Sequence, residues 1–128
     1  MSKSRLIIYV DDDEDDRELF RDSFGEIDGY QLVILNSGRD FFEYMRTNND
    51  PVGLVVLDIN MPEISGLQIL EDLKSSFSYR SIPVVMFSTA RNFVQTKFIT
   101  DLGSDLIVKP SSFDEMKNVM QKLIAHAK

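Results

Sequence analysis

The chain has no cysteine and only one histidine in its 128 residues. Without thiols there can be no disulfides, no thiolate metal site and no Cys nucleophile. His126 stands near the C-terminus in a polar stretch and reads as inert. Basic residues are the minority: 14 Lys and Arg against 21 Asp and Glu leave a formal net charge of −7. That balance argues against a general nucleic-acid-binding surface and fits acidic groups gathered around a cation. Long apolar runs are lacking too. Met1-Ser2-Lys3-Ser4-Arg5 leads into Leu6-Ile7-Ile8-Tyr9-Val10, a stretch too short for the core of a signal peptide or for a membrane span. A cytoplasmic protein without membrane insertion is the expectation. What is present is a hydrophobic fraction of 43%, spread along the chain. This speaks against disorder and for one domain over residues 1–128 with a core of its own.

Five short apolar runs punctuate the sequence. The most telling is Leu54-Val55-Val56-Leu57, which runs straight into Asp58 and an Asn60-Met61-Pro62 turn. An unbroken apolar run this short reads as a strand buried on both faces. The same reading holds for Leu6 to Val10, Gln31 to Leu35, Val84 to Phe87 and Leu106 to Val108. Between them, apolar residues recur at helical spacing. Leu19, Phe20, Phe24 and Ile27 form one such set, closed by Asp28-Gly29. Phe41, Phe42 and Met45 follow a Ser37/Asp40 capping pair, and Leu67, Leu70 and Leu73 follow Ser65 with Gln68. A fourth helix is expected from about Asn92 to Leu102, with Gly103 as its stop. Ser112 and Glu115 cap a last one carrying Phe113, Met116, Met120, Leu123 and Ile124. Such alternation implies an α/β fold, a doubly wound five-stranded parallel sheet with helices on both faces.

In open α/β sheets, ligands sit beyond the carboxyl ends of the strands. The residues there are Asp11 and Asp12 after the first strand, Asp58 after the third, Ser88 and Thr89 after the fourth, and Lys109 after the fifth. Asp11 and Asp12 begin a run of acids reaching Asp16, and Asp13 to Asp16 read as the solvated start of a helix. Three converging carboxylates repel one another, and a divalent cation resolves the conflict. An all-oxygen ligand set suits Mg²⁺. Asp12 and Asp58 are the direct candidates, Asp11 acts through water, and the Asn60 backbone carbonyl supplies a further oxygen. Lys109 and Ser88 suit a phosphoryl group, the first as a point charge and the second as a hydroxyl donor. Asp58, at the centre, is the natural nucleophile for forming an aspartyl phosphate. Ser88 is preferred to Thr89 because it comes first after the strand.

Together Val10-Asp11-Asp12-Asp13, Asp58-Ile59-Asn60-Met61-Pro62 with Gly66, Ser88 after its apolar run, and Gly103 followed by Lys109-Pro110 resemble the receiver domain of two-component response regulators. The resemblance covers essentially the whole chain. It implies a flavodoxin-like, CheY-like (βα)5 fold with strand order 2-1-3-4-5. It further implies phosphorylation of Asp58 by a histidine kinase or histidine phosphotransfer protein, with Mg²⁺ held by Asp12, Asp58 and the Asn60 carbonyl, and Asp11 assisting. Lys109 and Ser88 would contact the phosphoryl group, and the Lys109-Pro110 bond would be cis. Two departures stand out. Leu106 occupies a position that is Tyr or Phe in many receivers, and the segment from Gly103 to Lys109 is about one residue shorter than in some.

The expected output is a shift in the face formed by the fourth helix, fifth strand and fifth helix, read by a downstream protein partner or by a phosphorylation-dependent homodimer. Phe93, Phe98, Leu106, Phe113 and Met116 lie in those segments, most of them expected in the core and one or two exposed to a partner. The chain ends about where its last helix ends, so a stand-alone receiver is expected, a phosphoacceptor rather than an enzyme. The competing reading is a receiver-like interaction module that is not phosphorylated. An aspartyl-nucleophile phosphatase commonly carries a second aspartate two residues after the first, where this chain has Asn60. A flavin-nucleotide binder would need a phosphate-cradling turn, where this chain offers acids.

Overall fold

The computed structural model describes residues 4–128; residues 1–3, assigned to the domain from sequence, lie outside the described residues. Ten elements alternate strictly: β1 (Arg5–Val10), α1 (Glu14–Phe24), β2 (Tyr30–Leu35), α2 (Gly38–Thr47), β3 (Val52–Asp58), α3 (Gly66–Ser75), β4 (Val84–Ser88), α4 (Phe93–Asp101), β5 (Asp105–Val108) and α5 (Phe113–Ile124). The strands form one sheet in the order β2-β1-β3-β4-β5, and all pairs are parallel. This is the expected order.

The sheet separates two cores, and strand alternation decides which residue joins which. On one face Ile7, Tyr9, Leu54, Val56, Val85 and Phe87 meet Phe20 and Phe24 of α1 and Met116, Met120 and Leu123 of α5. On the other, Ile8, Val10, Val55, Leu57 and Met86 meet Phe41 and Met45 of α2, Ile69, Leu70 and Leu73 of α3, and Ile99 of α4. Burial on both faces is why the central strands read as unbroken apolar runs. The caps at Ser37, Ser65 and Ser112 match the sequence signals, each accepting a hydrogen bond from the backbone N–H three residues on, and Asn92, expected as the start of the fourth helix, caps it in the same way.

One boundary differs by more than two residues. The first helix stops at Phe24 rather than at Asp28-Gly29, because Gly25 adopts a φ of 53° and its N–H bonds back to the Arg21 carbonyl. A positive φ suits glycine and ends a helix. Ile27 therefore lies outside the helix, although it still packs against the core. Gly29, at a φ of 86°, turns the chain into β2 instead.

Candidate functional site

Register brings the site together. Val10 lies opposite Leu57, and Asp58 lies opposite Phe87. The residues that follow these pairs, Asp11 and Ser88, thus flank Asp58 on either side. Val108 pairs with Ser88, and the Lys109 N–H donates to the Ser88 carbonyl at 2.7 Å. Four strands from distant parts of the chain therefore present Asp11, Asp58, Ser88 and Lys109 at one edge. Asp12 joins them: one carboxylate oxygen from each of Asp11, Asp12 and Asp58 lies within 4.8 Å of the others. Asp11, Asp58 and Ser88 are buried, whereas Asp12 and Thr89 are exposed.

Lys109 is the hub. Its Nζ lies 2.7 Å from Asp11 Oδ2, 2.9 Å from Asp16 Oδ2 and 3.1 Å from Asp58 Oδ1, and its side chain is only 7% exposed. Burial alone would lower the Lys109 pKa, but hydrogen bonds to Asp11 and Asp16 and the surrounding carboxylate charge outweigh it and raise it. The ammonium stays charged. Asp11 is held from three directions. Its Oδ2 receives the Tyr9 hydroxyl as well as Lys109, and its Oδ1 receives the Asp13 N–H at 3.0 Å. Tyr9 is fully buried, stacked on Phe20 and edge-on to Phe87. Burial first, and then the Asp11 charge, pushes its hydroxyl pKa up, so it remains a donor.

Asp58 carries the strain of this arrangement. Burial, then the Asp11 charge, pushes its carboxyl up to about 6, against the lowering effect of Lys109. Like charges in a confined space cannot all ionise cheaply. Three hard oxygen donors in mutual reach, with the Asp58 carboxyl pushed up by burial and by the Asp11 charge, form a donor set that fits Mg²⁺.

The loop after β3 is packed tightly beneath Asp58. A Cβ on Gly66 would fall 2.0 Å from the Asp58 carbonyl oxygen, and the Gly66 N–H bonds the Ile59 carbonyl at 2.9 Å. Only glycine allows that approach. Glu63, with a φ of 66°, completes the turn. Asn60 lies exposed in this loop, two residues beyond Asp58.

Two expectations are corrected here. The Lys109-Pro110 bond is trans, since no peptide bond among the described residues is cis. Trans is the lower-energy isomer even before proline, and Lys109 reaches all three carboxylates with it. Asp16, read with its neighbours as a solvated acid, instead pairs with Lys109 and is only 34% exposed in its side chain. A signal for this was present. Asp16 lies four residues before the fully buried Phe20, hence on the helix face that turns inward. The Tyr9 hydroxyl was missed as well; Tyr9 and Asp11 are two residues apart and share one side of β1 and its extension.

A parallel five-stranded α/β sheet with an acid cluster and a lysine at its carboxyl edge defines a receiver-type domain. A family model described as response regulator receiver domain matches residues 7–121. The chain belongs to that family, the receivers of two-component signalling. It is 32% identical over 117 residues to the CAI-1 autoinducer sensor kinase/phosphatase CqsS of Vibrio cholerae, an alignment covering 89% of this chain and 16% of that protein. It is 36% identical over 85 residues to the polar-differentiation response regulator DivK of Brucella abortus, covering 66% of this chain and 65% of DivK. The chain thus spans less than two thirds of these relatives' own length. Among solved structures, the phosphorylated cyanobacterial phytochrome response regulator RcpA superposes with a TM-score of 0.84 at 24% identity, over 98% of this chain and 97% of RcpA. That likeness speaks to the fold. No helix among the described residues is long and apolar enough to cross a membrane.

Proposed function

We propose that this chain is a phosphorylation-dependent switch whose phosphoacceptor is Asp58. The observation that carries this reading is the convergence of Asp11, Asp12 and Asp58 with Lys109 at one strand edge. A carboxylate oxygen of Asp58 attacks the phosphorus of a phosphohistidine or of a small acyl phosphate. A P–O bond to Asp58 forms, and the P–N or P–O bond to the donor breaks, with its electron pair leaving on imidazole or acetate. The donor in a signalling pathway is a histidine kinase or a histidine phosphotransfer protein. Asp12, Asp58 and the Asn60 carbonyl would hold Mg²⁺, with Asp11 through water. When bound, that ion supplies charge neutralisation for the incoming phosphoryl oxygens. Asp58 must be ionised to attack, and with its carboxyl near 6 it is mostly so above neutral pH. Lys109 as the cation and Ser88 as a buried hydroxyl at the end of β4 then donate hydrogen bonds to the phosphoryl oxygens.

The output reading follows from exposure. Phe93 and Phe113 reach solvent at the starts of α4 and α5, Val108 is exposed at the end of β5, and Phe98 opens on a groove between α3 and α4 beside Leu67, whereas Leu106 and Met116 are core. Most of Phe93, Phe98, Leu106, Phe113 and Met116 were expected in the core, but the three phenylalanines are exposed, and the uncovered rings suit a protein partner or a second copy. A charge placed beside Ser88 and Lys109 pulls on the ends of β4 and β5, the two elements that lead into α4 and α5. Leu106 sits buried where many receivers have a ring, so the shift is transmitted by repacking an aliphatic side chain.

The test is intact-protein mass spectrometry after incubation with acetyl phosphate and Mg²⁺. One phosphate is expected on the wild type, none on Asp58→Asn, and none when the metal is chelated. A wild-type protein that never gains phosphate under these conditions rules the reading out.

A further inference from the structure

We propose that Asp16 is a positioning residue: it holds the Lys109 ammonium on the α1 side of the cluster and thereby slows phosphoryl capture by Asp58. The proposal rests on the reading of Asp58 as phosphoacceptor. An ammonium has three donors, and Lys109 faces three carboxylates at 2.7, 2.9 and 3.1 Å. Asp11 and Asp16 each accept a hydrogen bond from it and the third carboxylate is Asp58 itself, so a further donor for the phosphoryl oxygens is freed only when Asp11 or Asp16 is given up. Asp11 cannot yield easily, because it is fully buried and anchored by the Tyr9 hydroxyl and the Asp13 N–H. Asp58 is itself the acceptor. Asp16 is the partner whose side chain is partly in water, at 34% exposure, so water can replace its lost contact most cheaply.

Asp16 is placed for this and is not a loose surface acid. The Asp13 side chain caps α1 by accepting from the Asp16 N–H at 3.1 Å, which fixes the first turn. One helical turn later Phe20 is fully buried against Tyr9, so the packing of α1 aims the Asp16 side chain at the strand ends. Asp16 is not part of the metal-competent group of Asp11, Asp12 and Asp58. Its contact at this edge is with Lys109. In the resting state it shares the ammonium; on phosphorylation Lys109 lets go of Asp16 and turns to the phosphoryl oxygens.

Asp15 provides the control. It has the same charge, lies one residue away on the exposed side of α1, and does not touch Lys109. The experiment compares wild type, Asp16→Asn and Asp15→Asn in two measurements. The first is the initial rate of phosphate gain from acetyl phosphate at saturating Mg²⁺. Asp16→Asn is expected to be about threefold to tenfold faster than wild type, the size of one partly exposed ion pair expressed as a rate, with Asp15→Asn unchanged. The second, without metal or phosphodonor, is the NMR resonance of the Lys109 ammonium. It is expected to shift in Asp16→Asn and to stay in place in Asp15→Asn. Equal rates for wild type and Asp16→Asn, equal acceleration by both variants, or an unmoved ammonium signal would each overturn the proposal. A wild type that takes no phosphate overturns the functional reading with it; a wild type that does, beside an Asp16→Asn variant no faster, overturns this proposal alone.

Discussion

Lys109, 7% exposed, has carboxylate oxygens on three sides, whereas Phe93, 84% exposed, stands in solvent at the start of α4. The first belongs to a region where Asp11, Asp16, Asp58 and Lys109 hold one another before any ligand arrives. The second belongs to a surface where apolar side chains are left uncovered. The contrast reflects what each region does in the proposed switch. Chemistry at Asp58 needs preorganised charge, because catalysis of phosphoryl transfer is mostly positioning and neutralisation. A docking face needs unspent apolar area instead.

The largest effect expected from breaking the contrast is at its hub. Lys109→Ala removes the cation shared by Asp11, Asp16 and Asp58 and leaves buried carboxylates unpaired. At pH 7.5 without metal this should cost about 3–5 kcal/mol in urea unfolding, with part of the loss restored by Mg²⁺.

Removing the crowding itself should act in the opposite direction. The folded-state pKa of Asp58 is raised from 3.8 to about 6. The folded protein therefore binds this proton more tightly than the unfolded chain does. The stability contributed by the protonated form is fully present below 3.8 and is lost as pH rises through 6. A shift of this size corresponds to about 3 kcal/mol at most. Without metal, wild type should lose stability between pH 4 and pH 7, and Asp58→Asn should flatten that slope and be the more stable variant at pH 7.5. An Asn variant with the same pH slope as wild type would mean that the strain lies elsewhere. Lys109, raised as well, contributes outside this window, at alkaline pH.

Gly66→Ala tests how firmly the loop under the acceptor is fitted. The added methyl meets the Asp58 carbonyl oxygen, so a loss of about 1–3 kcal/mol is expected, together with slower phosphate gain as Asp58 is displaced. The smallest effect belongs to the other region. Phe93→Ser should change stability by less than about 0.5 kcal/mol and leave the phosphorylation rate at the wild-type value. It should weaken only the capture of a downstream protein or of a second phosphorylated copy. Loss of phosphorylation in that variant would show that the two regions are not separable in this way.

The fold was legible because five apolar runs alternate with capped amphipathic segments, and Ser37, Ser65 and Ser112 cap as their spacing suggests. Asp11, Asp12, Asp58 and Lys109 could be brought together because parallel strands deliver their ends to one edge. What was hidden depended on rotation and distance rather than on order along the chain. A run of six acids looks uniform until helix packing turns Asp16 inward. The Tyr9 ring sits in the core as any aromatic would, and its hydroxyl becomes informative only once Asp11 is placed beside it. The exposure of Phe93, Phe98 and Phe113 was likewise unreadable, since apolar spacing does not tell which ring a helix leaves uncovered. The cis bond expected at Pro110 came from resemblance alone, with nothing in the residues themselves to require it.

In the proposed switch Asp58 shares a confined space with carboxylates whose repulsion a divalent cation would relieve. Carbon-13 NMR titration of the Asp58 carboxyl, with and without Mg²⁺, measures this directly. The expected result is a midpoint near 6 without metal and a clear drop on adding Mg²⁺. A midpoint near the ordinary aspartate value in both conditions, insensitive to the metal, would contradict the account.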